Sequence, residues 1–186
     1  RRAVERLPDD GVAIDLCTGS GAIATVLSAY RPGARVAASE IDEGAVACAL
    51  ANGVDVSRGD LFAPLPAELV GRVDVIVGVV PYVPTPELPL LQRDTFTFET
   101  PLSYDGGPDG TDVLRRVLND SRPFLRRGGV VLLELGGDQA ELLRDDLGRL
   151  GYVVRDILTD EDGDVRAIEA SLDQPPGSSI GCRPDR

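Results

Sequence analysis

Seven consecutive residues, Val73 to Val79 (VDVIVGV), are mostly valine and isoleucine and scarcely alternate with polar ones. A β-branched run of this kind reads as a strand covered on both faces. Strands so covered belong to parallel sheets, which need helical crossovers to lie over them. The rest of the chain supplies those crossovers. Val12–Leu16 reads as a strand, and Ala22–Ala29 as a helix stopped by the Pro32-Gly33 turn. Arg35–Glu40 reads as a second strand, after which Asp42 caps a helix running to about Asn52. Val54–Arg58 is the third strand and Val73–Val79 the fourth. A Pro- and Gly-rich loop from Pro81 to Gly110 leads into a helix through Leu125. Gly129–Glu134 is a fifth strand, followed by a helix from Gln139 to Leu150. Tyr152–Thr159 and Val165–Ser171, joined by the acidic turn DEDGD, form a closing antiparallel pair. Alternating units of this kind imply an α/β fold with right-handed crossovers. Its ligand site then lies where the strands' C-terminal ends gather.

At 186 residues the chain is expected to form one domain over residues 1–171, with residues 172–186 (Pro-Pro, Gly-Ser-Ser, no periodicity) as a tail. Only four Phe, four Tyr and no Trp leave the core to Val, Leu, Ile and Ala. A net charge of −12 argues against nucleic acid as the main partner, because phosphate binding needs clustered Lys and Arg. No apolar run approaches the ~20 residues of a membrane span, and no signal peptide is visible. Three scattered cysteines, Cys17, Cys48 and Cys182, form neither a disulfide framework nor a zinc set and point to the cytoplasm. The absence of histidine removes the commonest general base and metal ligand, so no metal is expected. The absence of methionine, initiator included, points to a trimmed or partial product.

Three loops on the expected ligand edge carry chemistry. In DLCTGSGAIA, Asp15 to Ala24, Gly19 and Gly21 allow a tight turn, and the N–H groups opening the next helix attract an anion. The stretch also satisfies G-x-G-x-x-A, so alone it fits NAD as well as other adenosine cofactors. The second strand ends at Glu40, about twenty residues on, where a carboxylate can accept ribose hydroxyls. The third ends in GDLF, where Asp60 can accept from an adenine amino group with Leu61 or Phe62 against the ring.

Together with the Pro81-Tyr82 that follows the fourth strand, these stretches form a set. DLCTGSGAIA, ASEID, GDLFAPLP, VDVIVGVVPYVP, DGGPDG and LLELGGDQ resemble, in order and spacing, the S-adenosylmethionine-dependent methyltransferases that modify glutamine-N5 in translation release factors. The glycine loop and acidic residue are common to many class I methyltransferases, whereas PY followed by DGGPDG is more specific. The resemblance implies a Rossmann-like class I methyltransferase fold: a seven-stranded, mostly parallel sheet with an antiparallel last strand and helices on both faces. It implies S-adenosylmethionine, leaving NAD the lesser reading, with Asp15, Cys17, Thr18, Gly19, Gly21, Glu40, Ile41, Asp60 and Leu61 around it. It also implies a release factor or other protein as partner. The helical domain that docks the release factor in that family is expected to be missing from this chain.

In that family the fourth strand ends in Asn-Pro-Pro-Tyr, whose carboxamide and following carbonyl hold the target amide nitrogen. Here the four catalytic positions are Val79, Val80, Pro81 and Tyr82. An amide nitrogen is a poor nucleophile, so alignment and polarisation are most of what such an enzyme supplies. Loss of the Asn leaves three readings open. One is glutamine transfer with the missing contact supplied by the Asp94–Tyr104 loop. A second is transfer to a small-molecule hydroxyl or amine, and a third is cofactor binding without transfer. A hydroxyl acceptor needs a base, for which Asp94, Glu99 and Asp105 are nearest in sequence. Cys17, at a family glycine position, reads as a small packed residue, and Glu134 as structural.

Overall fold

The computed structural model of the protein describes residues 1–91 and 100–173. Asp94, Glu99, Cys182 and most of the expected tail lie outside the described residues. Seven strands form one sheet: β1 (Val12–Leu16), β2 (Arg35–Glu40), β3 (Val56–Arg58), β4 (Val73–Gly78), β5 (Leu125–Glu134), β6 (Tyr152–Thr159) and β7 (Val165–Leu172). Their order is β3-β2-β1-β4-β5-β7-β6. The first five are parallel, while β7 runs antiparallel to both β5 and β6. The helices are α1 (Arg2–Arg6), α2 (Ala22–Tyr30), α3 (Glu43–Ala51), α4 (Asp112–Ser121), α5 (Gln139–Leu142) and α6 (Arg144–Leu150).

Every residue of β4 is buried between β1 and β5, which is why its sequence does not alternate. Ile76 faces a core with Ile14, Leu16, Val131 and Leu133, and Val75 and Val77 face another with Ala13, Leu27, Val130 and Leu132. Since β2 lies on one side of β1 and β4 on the other, successive crossovers diverge there and leave a crevice beyond the strand ends. Among the described residues no helix is long and apolar enough to cross a membrane.

Several boundaries differ from the sequence reading. β3 begins at Val56, because Val54 turns inward against Ala24, Ala38 and Ala49. α4 stops at Ser121 rather than Leu125, since Pro123 cannot extend a helix. β5 then starts early at Leu125, paired with Val73, and its register shifts before Val130 meets Val75. β4 ends at Gly78, β7 reaches Leu172, and the single helix expected over Gln139–Leu150 divides at Leu143. α1 was not foreseen. Its Ala3 packs with Leu7 against Ala13 and Leu27, and Arg2 and Arg6, one turn apart, reach the buried Glu169 on β7 at 3.4 and 2.7 Å.

Candidate functional site

Between β1 and α2 the backbone reverses within five residues, and three of them take positive φ: Cys17 (52°), Gly19 (57°) and Gly21 (85°). Gly21 opens α2, and a Cβ there would drive into Val54. A Cβ on Gly19 would meet nothing within 4 Å, so that face of the turn is open. Asp15, 1% exposed, ties the turn together: its Oδ2 accepts from Thr18 Oγ1 at 2.6 Å and from Ala24 N at 3.0 Å. Its Oδ1 is buried with no hydrogen-bond partner among the described residues. Burial pushes the Asp15 carboxyl up to about 6, against the pull of the Thr18 and Ala24 bonds.

Glu40 closes β2 and faces the same turn. Its Oε2 accepts from Gly19 N at 2.9 Å, and its Oε1 accepts from Ile41 N and Asp42 N at 2.8 and 3.0 Å. A carboxylate offers about four lone-pair directions, so about one is left for a ligand hydroxyl. At the end of β3, Asp60 is half-exposed and paired with Arg116 of α4 at 2.6 Å, and Leu61 takes a φ of 46°.

Two clefts open over these loops. One, of about 560 Å³, is lined by Cys17, Gly19, Glu40, Ile41, Val79 and Thr100 among others. Another, of about 390 Å³, is lined by Glu40, Ile41, Asp60, Leu61, Asp105 and Arg116 among others. Both have Cys17, Glu40, Ile41, Pro81 and Leu102 in their walls, so they are neighbouring parts of one crevice. The structure thus gathers most of the residues expected around a cofactor, while Asp15 and Thr18 lie buried beneath the turn. Burial, followed by Glu40 and Asp15, pushes the Cys17 thiol up to about 12, so it stays protonated and is no nucleophile.

The apolar end of β4 splits in two directions. Val80 is 1% exposed and joins the core, whereas Val79 is 42% exposed and lines the crevice. Pro81 lines both parts of it. Tyr82 belongs elsewhere: its hydroxyl donates to Glu134 Oε1 at 2.7 Å, it packs against the core, and it lines a separate cleft of about 380 Å³ with Val83, Pro84, Leu90 and Gln139. The structure therefore brings Val79 and Pro81, but not Tyr82, to the wall shared with Glu40 and Cys17. Burial, with the Glu134 bond, raises the Tyr82 phenol to about 12.

The link between PY and DGGPDG has a local cause. Val83 N donates to Tyr104 O at 2.9 Å, Gly106 N to Val83 O at 2.9 Å, and Thr85 N to Gly107 O at 2.8 Å. The glycine turn is thereby laid along the segment after β4, so close that a Cβ on Gly106 would come within 2.8 Å of Tyr82 Cα. Asp105 lies in the crevice wall. Its carboxyl, exposed to solvent, is held below the usual range by the Thr85 hydroxyl and then by Gly107 N.

Three contributors escaped sequence reasoning. Arg116 and Leu102 line the crevice, and Gln139, 4% exposed, holds the Tyr82 carbonyl through its Nε2 at 2.6 Å. Only Gln139 carried a signal, as a polar residue at the start of a helix beside a Gly-Gly turn.

No family model matches the chain. A curated release factor glutamine methyltransferase from Moorella thermoacetica is 39% identical over 178 residues, covering 90% of this chain and 62% of that protein. The ribosomal protein uL3 glutamine methyltransferase of Bradyrhizobium diazoefficiens is 36% identical over 177 residues, covering 91% of this chain and 52% of that protein. The chain thus spans somewhat more than half the length of these curated relatives. Among solved structures, ribosomal protein L11 methylase from Lactobacillus delbrueckii subsp. bulgaricus superposes with a TM-score of 0.66 at 16% identity, covering 93% of this chain and 76% of that one. That likeness concerns the fold. The chain has the class I methyltransferase fold and is, in sequence, a relative of the release factor and ribosomal protein uL3 glutamine methyltransferases.

Proposed function

We propose that the chain is the catalytic part of an S-adenosylmethionine-dependent methyltransferase that modifies a glutamine side chain of a protein, a release factor or ribosomal protein, in the cytoplasm. The observation that carries this reading is the crevice that brings the glycine turn, Glu40, Ile41 and the end of β4 together at the switch point of the sheet. The residues fit the cofactor. Asp15 offers a buried, unpartnered carboxylate oxygen suited to its ammonium group. Glu40 retains an acceptor site for a ribose hydroxyl, and Ile41 and Leu61 give apolar surface for a purine. The Asp60–Arg116 pair lines the same part of the crevice, where the Asp60 carboxylate would accept from the exocyclic amine of the purine.

When bound, S-adenosylmethionine supplies a methyl group on a positively charged sulfur. The chain's part is to align the acceptor nitrogen and to exclude water. Val79 offers no polar group, but Thr100 and Ser103 lie in the same crevice wall, and Thr100 Oγ1 is a buried hydroxyl without a partner among the described residues. We assign to it the contact that an asparagine would otherwise make. The proton leaving the amide nitrogen goes to water, since Asp105 is held in its weakly basic form.

The test is methyl transfer from labelled S-adenosylmethionine to an intact release factor with its Gly-Gly-Gln loop, by the wild type and by Val79→Asn. Val79 is exposed, so the substitution leaves the core alone. The expected outcome is transfer by the wild type and a gain of no more than about tenfold in Val79→Asn, below the ~10²–10³ of a lone preorganised contact because Thr100 already makes it. A second reading, a small molecule that accepts through a hydroxyl or amine on a largely apolar body, is favoured by the exposed Val79 and Leu102 in one wall. Transfer by Val79→Asn alone would favour it over the first.

A further inference from the structure

Tyr82 stands at the boundary between two spaces. Pro81 belongs to the wall of the cofactor crevice and Tyr82 to the wall of the separate cleft beyond it. The sheet does not hold this boundary in place. The β4–β5 ladder gives out at the pair Gly78–Leu133, and Tyr82 lies four residues further on, in no strand. What reaches it instead comes from the end of β5. Glu134, the residue after Leu133, accepts the phenol proton at 2.7 Å. Gln139, opening α5, spends both ends of its amide: Oε1 accepts from Gly136 N at 3.0 Å and Nε2 donates to Tyr82 O at 2.6 Å. The DGGPDG turn is packed over the second bond, for a Cβ on Gly110 would press into both Gln139 Nε2 and Tyr82 O.

We infer that Glu134 and Gln139 are positioning residues that together fix the ring and carbonyl of Tyr82, and so hold in place the wall of the crevice at Pro81, next in the chain, where cofactor and acceptor meet; this rests on the methyl-transfer reading above. One side chain restrains the end of the Tyr82 ring and the other its backbone, leaving neither the rotamer nor the peptide free to drift. An amide acceptor has no strong nucleophile of its own, so its rate depends on placement more than on any base. A misplacement of about 1 Å is enough to cost a factor of ~10². Neither residue lines the cofactor crevice, so they act through Tyr82 and cofactor affinity is not theirs to set.

The experiment compares wild type, Glu134→Gln, Tyr82→Phe, the double variant and Gln139→Met. Each is read by cofactor affinity, by kcat and KM for a protein acceptor, and by ultraviolet titration of the tyrosine phenols. Tyr82→Phe keeps the ring and removes the bond to Glu134. The expected result for each single variant is an unchanged cofactor affinity, with kcat lowered about tenfold and acceptor KM little changed. Glu134→Gln and Tyr82→Phe should also keep the melting temperature, whereas Gln139→Met lowers it by leaving Gly136 N and Tyr82 O unpaired. The double variant should be no slower than Tyr82→Phe, because Glu134→Gln only weakens to a neutral bond the one that Tyr82→Phe removes. In Glu134→Gln one of the two late-titrating phenols, Tyr82 and Tyr152, should titrate earlier. Additive losses in the double variant, or a phenol titration unmoved by Glu134→Gln, would overturn the inference. A wild type that methylates no protein acceptor would remove the glutamine reading, and the phenol titration would still decide whether the clamp exists.

Discussion

Replacing Asp15 with asparagine is expected to weaken S-adenosylmethionine binding about tenfold or more and to abolish one component of the protein's pH-dependent stability. Asparagine keeps an oxygen for Thr18 and Ala24 but removes the charge that burial disfavours. The sign follows from the carboxyl being raised from its ordinary 3.8 to about 6. Between those two values the folded state holds a proton that the unfolded chain has released, so this group's contribution to stability falls as pH rises through the window. Below it the contribution is intact; above it the loss is complete, at about 3 kcal/mol for a displacement of that size. In urea unfolding of the cofactor-free proteins, Asp15→Asn should therefore gain about 3 kcal/mol relative to wild type from the bottom of that window to the top. Parallel stability curves would mean that the carboxyl ionises freely. The same charge is what a cofactor ammonium would use, and losing one charge-assisted bond of about 1.5–3 kcal/mol sets the expected loss of affinity.

Glu40→Ala should have the larger effect on binding, about a hundredfold by calorimetry. Alanine removes the acceptor left over for a ribose hydroxyl, at about 1.5–3 kcal/mol. It also frees Gly19 N, Ile41 N and Asp42 N, so the turn that shapes the crevice loses its restraint. Glu40→Gln, which keeps one carbonyl oxygen, should fall between. An affinity unchanged in Glu40→Ala would remove Glu40 from the site.

The parallel sheet was legible because β4 and β1 are buried on both faces and their composition says so residue by residue. The positive φ values of Gly19 and Gly21 were likewise written in the residue type, though Cys17 takes the same region without that signal. Glu40 was legible as a strand-end carboxylate at the right distance from the turn. Its bonds to three backbone N–H groups were not, since they depend on how two loops meet. The same holds for Asp60, whose pairing with Arg116 joins residues far apart in the chain. The opposite directions of Val79 and Val80 follow from where β4 stops, which the uninterrupted apolar run concealed. Tyr82 was expected to hold the acceptor against the cofactor. In the structure its bonds to Glu134 and Gln139 turn it into the neighbouring cleft, and local sequence contains neither partner.

The measurement that bears most directly on the proposed function is mass-spectrometric mapping of the methyl group after incubation with S-adenosylmethionine. The acceptors are an intact release factor, ribosomal protein uL3, and a version of each with the candidate glutamine replaced by alanine. The account predicts one added methyl on the side-chain nitrogen of that glutamine in one native acceptor and none in its alanine version. A protein that binds S-adenosylmethionine but leaves both native acceptors unmodified, or that methylates the alanine versions equally, would contradict it.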